Sequence, residues 1–421
     1  MSAGGRSRFP RDRMYHKFRL YGFLKNLRLF DPFLILFFRE AGLSFLQIGT
    51  LFSVREVAVN LLEVPTGVIA DAFGRRRAMV GSFSAYILSF LAFYLFSGFV
   101  PYVLAMLLFA CGETLRSGTH KAMILEYLRI KGIAHLKVDY YGHTRAGSQL
   151  GSAVASLIAA GLVLYAGSYR IVFLGSTVPY VLGLVLLLSY PKELDGDLGS
   201  LPGGWREVLR SRLPLTGREF LSMLRSPLTL RGLIQSAGFD GAFKGTKDYL
   251  QPILKAQALA LPVFLSLSGE QRTAVVAGIL YALLYLSTSV AAQSAGRLAA
   301  RLPSLPRGVN LTYVGGFGLL LLAGVGAWAD AYWLAIVAFV GLYLLENLRR
   351  PLLVGYLSDV IDHRLMASGL SVESQLKTIV LAALAPLVGL MADRLGVGPA
   401  LMIAAGLGLA AGPALRVKGG R

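Results

Sequence analysis

Residues 63–79, EVPTGVIADAFGRRRAM, carry the reading that decides the fold. They close a long apolar run with Gly67, Asp71 and Gly74, followed by Arg75, Arg76 and Arg77. An apolar run of about 20 residues ending in a basic loop is the pattern of a helix leaving a lipid bilayer. Gly67 has no side chain and would let two helices approach closely, and Gly74 would permit a tight turn. Asp71, near a helix end, could pair with an arginine or with the N-terminus of a neighbouring helix.

The rest of the chain repeats that pattern. Of 421 residues 55% are hydrophobic and only 15% are charged, and mean hydropathy is +0.60. A soluble chain carries about 25% charge. The net charge of +19 would point to nucleic acid on a soluble domain. Here the basic residues sit between apolar runs, so no nucleic-acid partner is expected. The single cysteine, Cys111, leaves no disulfide pair and no cysteine-rich metal site; no metal and no cofactor is expected. The N-terminal stretch MSAGGRSRFPRDRMYHKFRL is basic and polar. It reads as a tail before the first span, not as a cleavable signal.

Working outward from residue 63, twelve spans emerge: 16–38, 45–71, 78–99, 102–129, 139–166, 170–190, 229–255, 272–295, 308–328, 332–358, 366–391 and 397–415. The first and seventh are the least apolar. With twelve spans, the basic groups at Arg6 to Arg13, Arg75 to Arg77, Arg129 to Lys137, Arg297 to Arg307 and Arg416 to Arg421 all fall on one side. The positive-inside rule makes that side the cytoplasm, with both termini inside. The expected organisation is a tail 1–15, a six-helix half 16–190, a cytoplasmic middle loop 191–228, a second six-helix half 229–415 and a tail 416–421.

Six plus six spans call for an internal repeat. ETLR at Glu113–Arg116 matches ENLR at Glu346–Arg349, and SQL at 148–150 matches SQL at 374–376. RLFDPFL around Pro32 resembles DYLQPIL around Pro252. The three matches keep their order and fall in corresponding helices.

Charges inside the spans are costly, at least about 2.5–3.5 kcal/mol each at a bilayer centre, so they should face a protein interior or a water-filled path. They cluster with a period of three helices. Spans 1, 4, 7 and 10 are rich in them and spans 3, 6, 9 and 12 have essentially none. Glu113, Arg116 and His120 share one face of a continuous helix, and Asp240, Lys244, Lys247 and Gln251 share another. Arg28, Arg116, His120, Lys244, Lys247, Gln251 and Arg349 are the expected solute contacts. Asp31, Glu113, Asp240, Glu346 and Glu373 are the expected charge partners or proton carriers, Glu113 first and Asp31 second. Cations slightly outnumber carboxylates, which favours an anionic or zwitterionic solute. Buried ion pairs that merely fix helix packing are the competing account.

The loop pattern Gly67-x-x-x-Asp71-x-x-Gly74-Arg75-Arg76-Arg77 resembles the signature of the major facilitator superfamily. The likeness extends to the layout: twelve spans, a six-plus-six repeat, a long middle loop and both ends inside. GLSFLQIG before span 2 is also usual there. The resemblance implies an all-α integral membrane fold of twelve helices in two six-helix halves. It also implies secondary active transport of a small-molecule solute by alternating access in a cell (inner) membrane, with protons as a possible coupling ion and the lipid bilayer and solute as partners. A monomer is expected. In the family, Gly67, Asp71, Gly74, Arg75 and Arg76 would form a conformational switch stabilising the outward-open state. The first helix of each three-helix unit lines the central cavity, the partition that the charge period gives independently.

Two alternatives compete. One is a drug or toxic-compound exporter of the same fold; span 5, RAGSQLGSAVASLIAAG, has glycines but lacks the proline of antiporters. The other is a non-transporting receptor or scaffold. No HExxH, phosphate loop or nucleophile elbow is present, so an enzyme is not expected. If Asp71 belongs to the switch, Asp71→Asn impairs transport more than expression, measured as uptake per protein inserted.

Overall fold

The computed structural model describes residues 12–195, 227–361 and 366–418. The tail 1–15 is therefore described only from Asp12, the middle loop 191–228 only at its two ends, and the last tail only to Lys418. Among the described residues the chain forms α-helices and short 3-10 turns, with no strand.

The helices are α1 (Arg13–Lys25), α2 (Leu34–Glu40), α3 (Phe45–Phe73), α4 (Arg75–Leu95), α5 (Phe99–Arg116), α6 (Thr119–Ile130), α7 (Lys137–Ala166) and α8 (Ile171–Leu188) in the first half. The second half holds α9 (Pro227–Thr246), α10 (Leu250–Ala260), α11 (Gly269–Arg301), α12 (Leu305–Trp328), α13 (Tyr332–Val360), α14 (Met366–Leu395) and α15 (Val397–Leu415). Ten segments are long and apolar enough to cross a membrane, with α5 and α6 together forming one of them. The pairs α1–α2 and α9–α10 are spans 1 and 7, which completes twelve.

Three spans expected to be continuous are broken. Span 1 passes through a 3-10 turn at Asp31–Phe33, and span 7 through one at Lys247–Tyr249. Proline has no N–H to donate and is tolerated in the first turn of a helix. Pro32 and Pro252 each lie where the second segment of a broken span begins, so the weakest repeat match in the sequence marks the same break in both halves. Span 4 breaks at Gly118, whose φ of +74° is costly for any residue with a Cβ. The single face drawn through Glu113, Arg116 and His120 is therefore interrupted, as is the stripe from Asp240 to Gln251.

At the α3–α4 corner, Gly74 has φ +99° and makes the expected tight turn. The start of α4 is capped from the beginning of the middle loop: Arg76 N–H donates to Asp195 Oδ1 at 2.6 Å. Arg76 Nη1 also donates to the Tyr190 carbonyl at 3.2 Å, and Arg75 lies 3.9 Å from Glu126. Gly67 is different. A Cβ there would meet nothing within 4 Å, and the residue is exposed one turn beyond Glu63 on the same face of α3. In this conformation no other helix approaches it closely. The side chain of Asp71 lies outside the described residues.

The halves meet along α3 with α14 and along α7 with α11. A Cβ on Gly49 would lie 2.2 Å from the Ala385 carbonyl oxygen, and one on Gly389 would lie 2.3 Å from that of Phe45. On the other side a Cβ on Gly278 would lie 2.4 Å from Ala160 Cβ. Small residues let membrane helices touch backbone to backbone, which is how helices associate without a hydrophobic drive. Asp393 of α14 caps α3 across this seam, accepting from Phe45 N at 2.9 Å and Leu46 N at 2.8 Å. A carboxylate at a helix N-terminus also complements the helix dipole. Gln271 of α11 donates to the Leu164 carbonyl of α7 at 2.6 Å. These ties lie at the end of the bundle opposite Arg75–Arg77. Trp328 and Trp333, 67% and 64% exposed, mark the lipid interface at that same end.

Gly389→Ala places a methyl group against the Phe45 carbonyl, which cannot move without α3. The expected result is a loosened seam at that end. It is read as faster maleimide labelling of a cysteine placed at Leu46, compared with the same cysteine in otherwise wild-type protein.

Candidate functional site: a basic cavity between the halves

A cavity of about 840 Å³ lies between the two halves. Its volume is within the roughly 300–1,000 Å³ usual for small-molecule sites. Each helix that lines it contributes a short periodic stripe. From α3 come Glu56, Asn60 and Glu63; from α7, Thr144, Arg145, Ser148 and Gln149; from α14, Ser374, Lys377 and Thr378. These spacings of three, four and seven bring residues to one helix face. Lys25 and Asn26 end α1, Glu113 and Arg116 end α5, Lys121 lies in the first turn of α6, and Lys244 lies near the end of α9.

The charged lining is lopsided. Lys25, Arg116, Lys121, Arg145, Lys244 and Lys377 are cationic, against the carboxylates Glu56, Glu63 and Glu113. Glu113 Oε1 is 3.6 Å from Arg116 and 3.9 Å from Arg28, so one carboxylate serves two guanidinium groups. Arg116 Nε also donates to Tyr86 OH at 3.3 Å. Glu56 accepts from its neighbour Arg55 at 2.9 Å and from Lys244 at 3.1 Å. The second of these joins the halves, since Glu56 lies on α3 and Lys244 on α9. Asn60 on α3 also donates to Thr378 on α14, at 3.3 Å. Lys377 binds Asp240 at 2.5 Å and Glu373 at 3.3 Å, and Ser236 donates to Glu373 at 2.5 Å.

Of the residues expected to touch solute, Arg116, His120 and Lys244 reach the cavity. His120 does so as a packed residue. It is 7% exposed, its ring stacks on Tyr21 at 3.6 Å, and Nε2 lies 3.3 Å from Tyr190 OH. Arg28 stands behind Glu113 and over the Phe109 ring. Lys247 turns to Asp248 at 2.7 Å.

Arg349 and Gln251 are corrections. Arg349 is fully buried and donates to the Val309 carbonyl at 2.5 Å, Thr312 Oγ1 at 3.0 Å and Gln235 Oε1 at 3.2 Å. Its guanidinium lies 4.6 Å from the Phe239 ring centroid. It joins α9, α12 and α13 within one half and does not line the cavity. Gln251 is fully buried as well. Its Oε1 accepts from Ile35 N at 2.7 Å and its Nε2 donates to the Asp31 carbonyl at 2.9 Å. It ties α10 to the broken first span of the other half.

Among the expected charge partners, Glu113 lines the cavity, and Asp240 and Glu373 stand behind Lys377. Asp31 lies in the break of span 1. Glu346 has a buried Oε2 with no hydrogen-bond partner. Lys25, Glu56, Glu63, Arg145 and Lys377 were visible as charges within spans, and the i, i+4, i+7 stripe of Glu56, Asn60 and Glu63 was the signal that could have marked them as lining.

Residues 26–373 match the Major Facilitator Superfamily, and the chain belongs to that family. It is 35% identical over 91 residues to the uncharacterised MFS-type transporter YxaM of Bacillus subtilis (strain 168). That match spans 22% of this chain and 23% of the relative's length. Solved structures are similar over nearly the whole chain. The nucleoside transporter NupG (D323A mutant) aligns with a TM-score of 0.77 at 13% identity, covering 96% of this chain and 99% of that one. A POT family transporter in complex with 5-aminolevulinic acid aligns at 0.69 and 14%, covering 97% and 96%. A D-xylose–proton symporter aligns at 0.69 and 13%, covering 96% of each. At these identities the likeness establishes the fold: an all-α, multi-pass membrane protein of twelve helices.

The buried arginine of the second E-x-L-R motif predicts a different phenotype from a cavity lysine. Arg349→Ala leaves buried acceptors unpaired and costs about 2–4 kcal/mol of stability, seen as a lower Tm in detergent. Lys25→Gln, at the half-buried cavity wall, changes stability by no more than about 0.5 kcal/mol, so Tm stays close to that of wild type.

Proposed function

We propose that the chain is a secondary active transporter that moves a small anionic or zwitterionic solute across a cell membrane by alternating access. The observation that carries this reading is the lining of the cavity, six cationic side chains against three carboxylates. Charge-assisted hydrogen bonds from lysine and arginine are the strong way to hold a carboxylate or phosphate in such a site. The basic end, with Arg75–Arg77, faces the cytoplasm under the positive-inside rule. The cavity runs from Glu56 and Lys244 toward that end, so this conformation is inward-facing, and the seam from Asp393 to Gln271 seals the opposite side. Transport then requires the halves to rock about the site.

Lys244 and Glu56 supply the link between solute and motion. An anion entering the cavity competes with Glu56 for Lys244 and so weakens a tie between the halves. A ligand shifts a conformational equilibrium only through such a difference in contacts between states. Coupling to protons falls on Glu346 in preference to Glu113. Glu113 is held between two guanidinium groups, whereas Glu346 has a buried oxygen with no donor, an arrangement that costs least when the carboxyl group is neutral. Among neighbours of this fold, one holds 5-aminolevulinic acid and one is a D-xylose–proton symporter. That range fits a polar cavity whose wall chemistry sets the solute.

A thermal-shift screen of anions, zwitterions and lipophilic cations tests the solute class, followed by uptake of hits into proteoliposomes. Anions or zwitterions should raise Tm, and Lys25→Gln and Lys244→Gln should each weaken the response about tenfold. A response confined to lipophilic cations would indicate an exporter of that class and overturn the reading. Glu346→Gln should abolish the dependence of uptake on a pH gradient while solute-induced stabilisation remains. Uptake equally pH-driven in that variant removes Glu346 from the coupling step.

A further inference from the structure

A second cavity lies on the outside of the bundle, away from the central one. It is a groove of about 560 Å³ between α12 and α15, lined by Leu311, Val314, Leu409, Gly412 and Pro413, with Arg307 and Arg416 also on its wall. Leu311 and Val314 are 67% and 53% exposed, so the groove faces the hydrocarbon of the bilayer. Arg307 lies in the first turn of α12 and Arg416 just past the last residue of α15. Both are exposed and stand at the basic end, where headgroups lie. The groove is apolar along its length and cationic at one level.

The arginine at the end of α15 is held in place. Asn310 accepts from Val417 N at 3.0 Å and donates to the Val417 carbonyl at 2.8 Å. Gln235 donates to the Leu415 carbonyl at 3.1 Å and to Asn310 at 2.9 Å. Arg416 therefore projects from a backbone pinned on both sides to α12 and α9. Gln235 also accepts from the buried Arg349, and α9 carries Lys244 of the central cavity.

We propose that this groove is a binding site for an anionic phospholipid, with an acyl chain along Leu311, Val314 and Leu409 and the phosphate between Arg307 and Arg416. Basic groups at headgroup depth beside an apolar groove between membrane helices match an anionic lipid on both counts. A zwitterionic phosphatidylcholine would satisfy the groove but add little at the arginines. Occupancy would brace the α9–α12–α15 contact and so stabilise the half that carries Lys244.

The test is native mass spectrometry of the full chain with phosphatidylglycerol and phosphatidylcholine supplied in equal amounts, with Tm recorded alongside. Phosphatidylglycerol adducts should exceed phosphatidylcholine adducts by about tenfold or more, as two arginines at headgroup level imply. The preference should fall to parity in the R307Q/R416Q double variant. Leu311→Trp, which fills the groove and keeps both arginines, should reduce adducts of both lipids. No preference in the wild type, an unchanged preference in the double variant, or equal protection by glycerol phosphate without acyl chains would overturn the proposal. A dimer free of lipid through this face would overturn it as well.

Discussion

The amide of Gln251 occupies a place that the backbone of span 1 left open. In an unbroken helix Ile35 N–H would donate to the Asp31 carbonyl. Here the chain turns through a 3-10 segment at Pro32, and both groups bond instead to Gln251. In a membrane no water is at hand to satisfy them, and each unsatisfied group costs several kcal/mol. The break in one half is thus completed by a side chain of the other. This makes the contact between halves polar and directional.

The other ties follow the same logic. Asp393 caps α3 across the seam, and Gln271 reaches a carbonyl of α7. Each satisfies a backbone group at a helix end, where four N–H or C=O groups lack partners. Between them glycines bring the backbones into contact, so the seam is closed by fit as well as by hydrogen bonds. Toward the basic end the ties thin into the Lys244–Glu56 pair and the Asn60–Thr378 bond. The cavity opens where these run out, and the charged part of its wall is six cationic side chains against three carboxylates. A closed seam at one end and a charged cavity at the other are two consequences of one arrangement.

Much of this was legible in the sequence, for physical reasons. Apolar length gives membrane spans, and basic loops give their common side. Charges are expensive in lipid, and their clusters marked spans 1, 4 and 7 as lining, but span 10 adds no side chain to the cavity and spans 2, 5 and 11 supply much of its wall. The Pro32 and Pro252 resemblance marked matching breaks, although residue pattern alone read both spans as continuous. What sequence does not give is the neighbour. Arg116 and Arg349 sit in the same motif, yet one reaches the cavity and the other is consumed by Val309, Thr312 and Gln235. His120 reads as a polar group on a functional face, but Tyr21 stacks on it. Gly67 and Gly74 belong to one signature; only Gly74 has the backbone conformation that requires glycine. Gln251 read as a solute contact because its true partner, a gap in the backbone of the other half, has no mark in the local sequence.

The central claim is that the polar seam and the cavity exchange sides as the halves rock. Two spin-label pairs measured by double electron–electron resonance in lipid address it directly. One pair, at Ala41 and Leu261, spans the sealed end; the other, at Lys131 and Asp359, spans the basic end. With a transported solute present, the first distance should lengthen as the second shortens. Two distance distributions that stay fixed, or that lengthen together, would contradict the account.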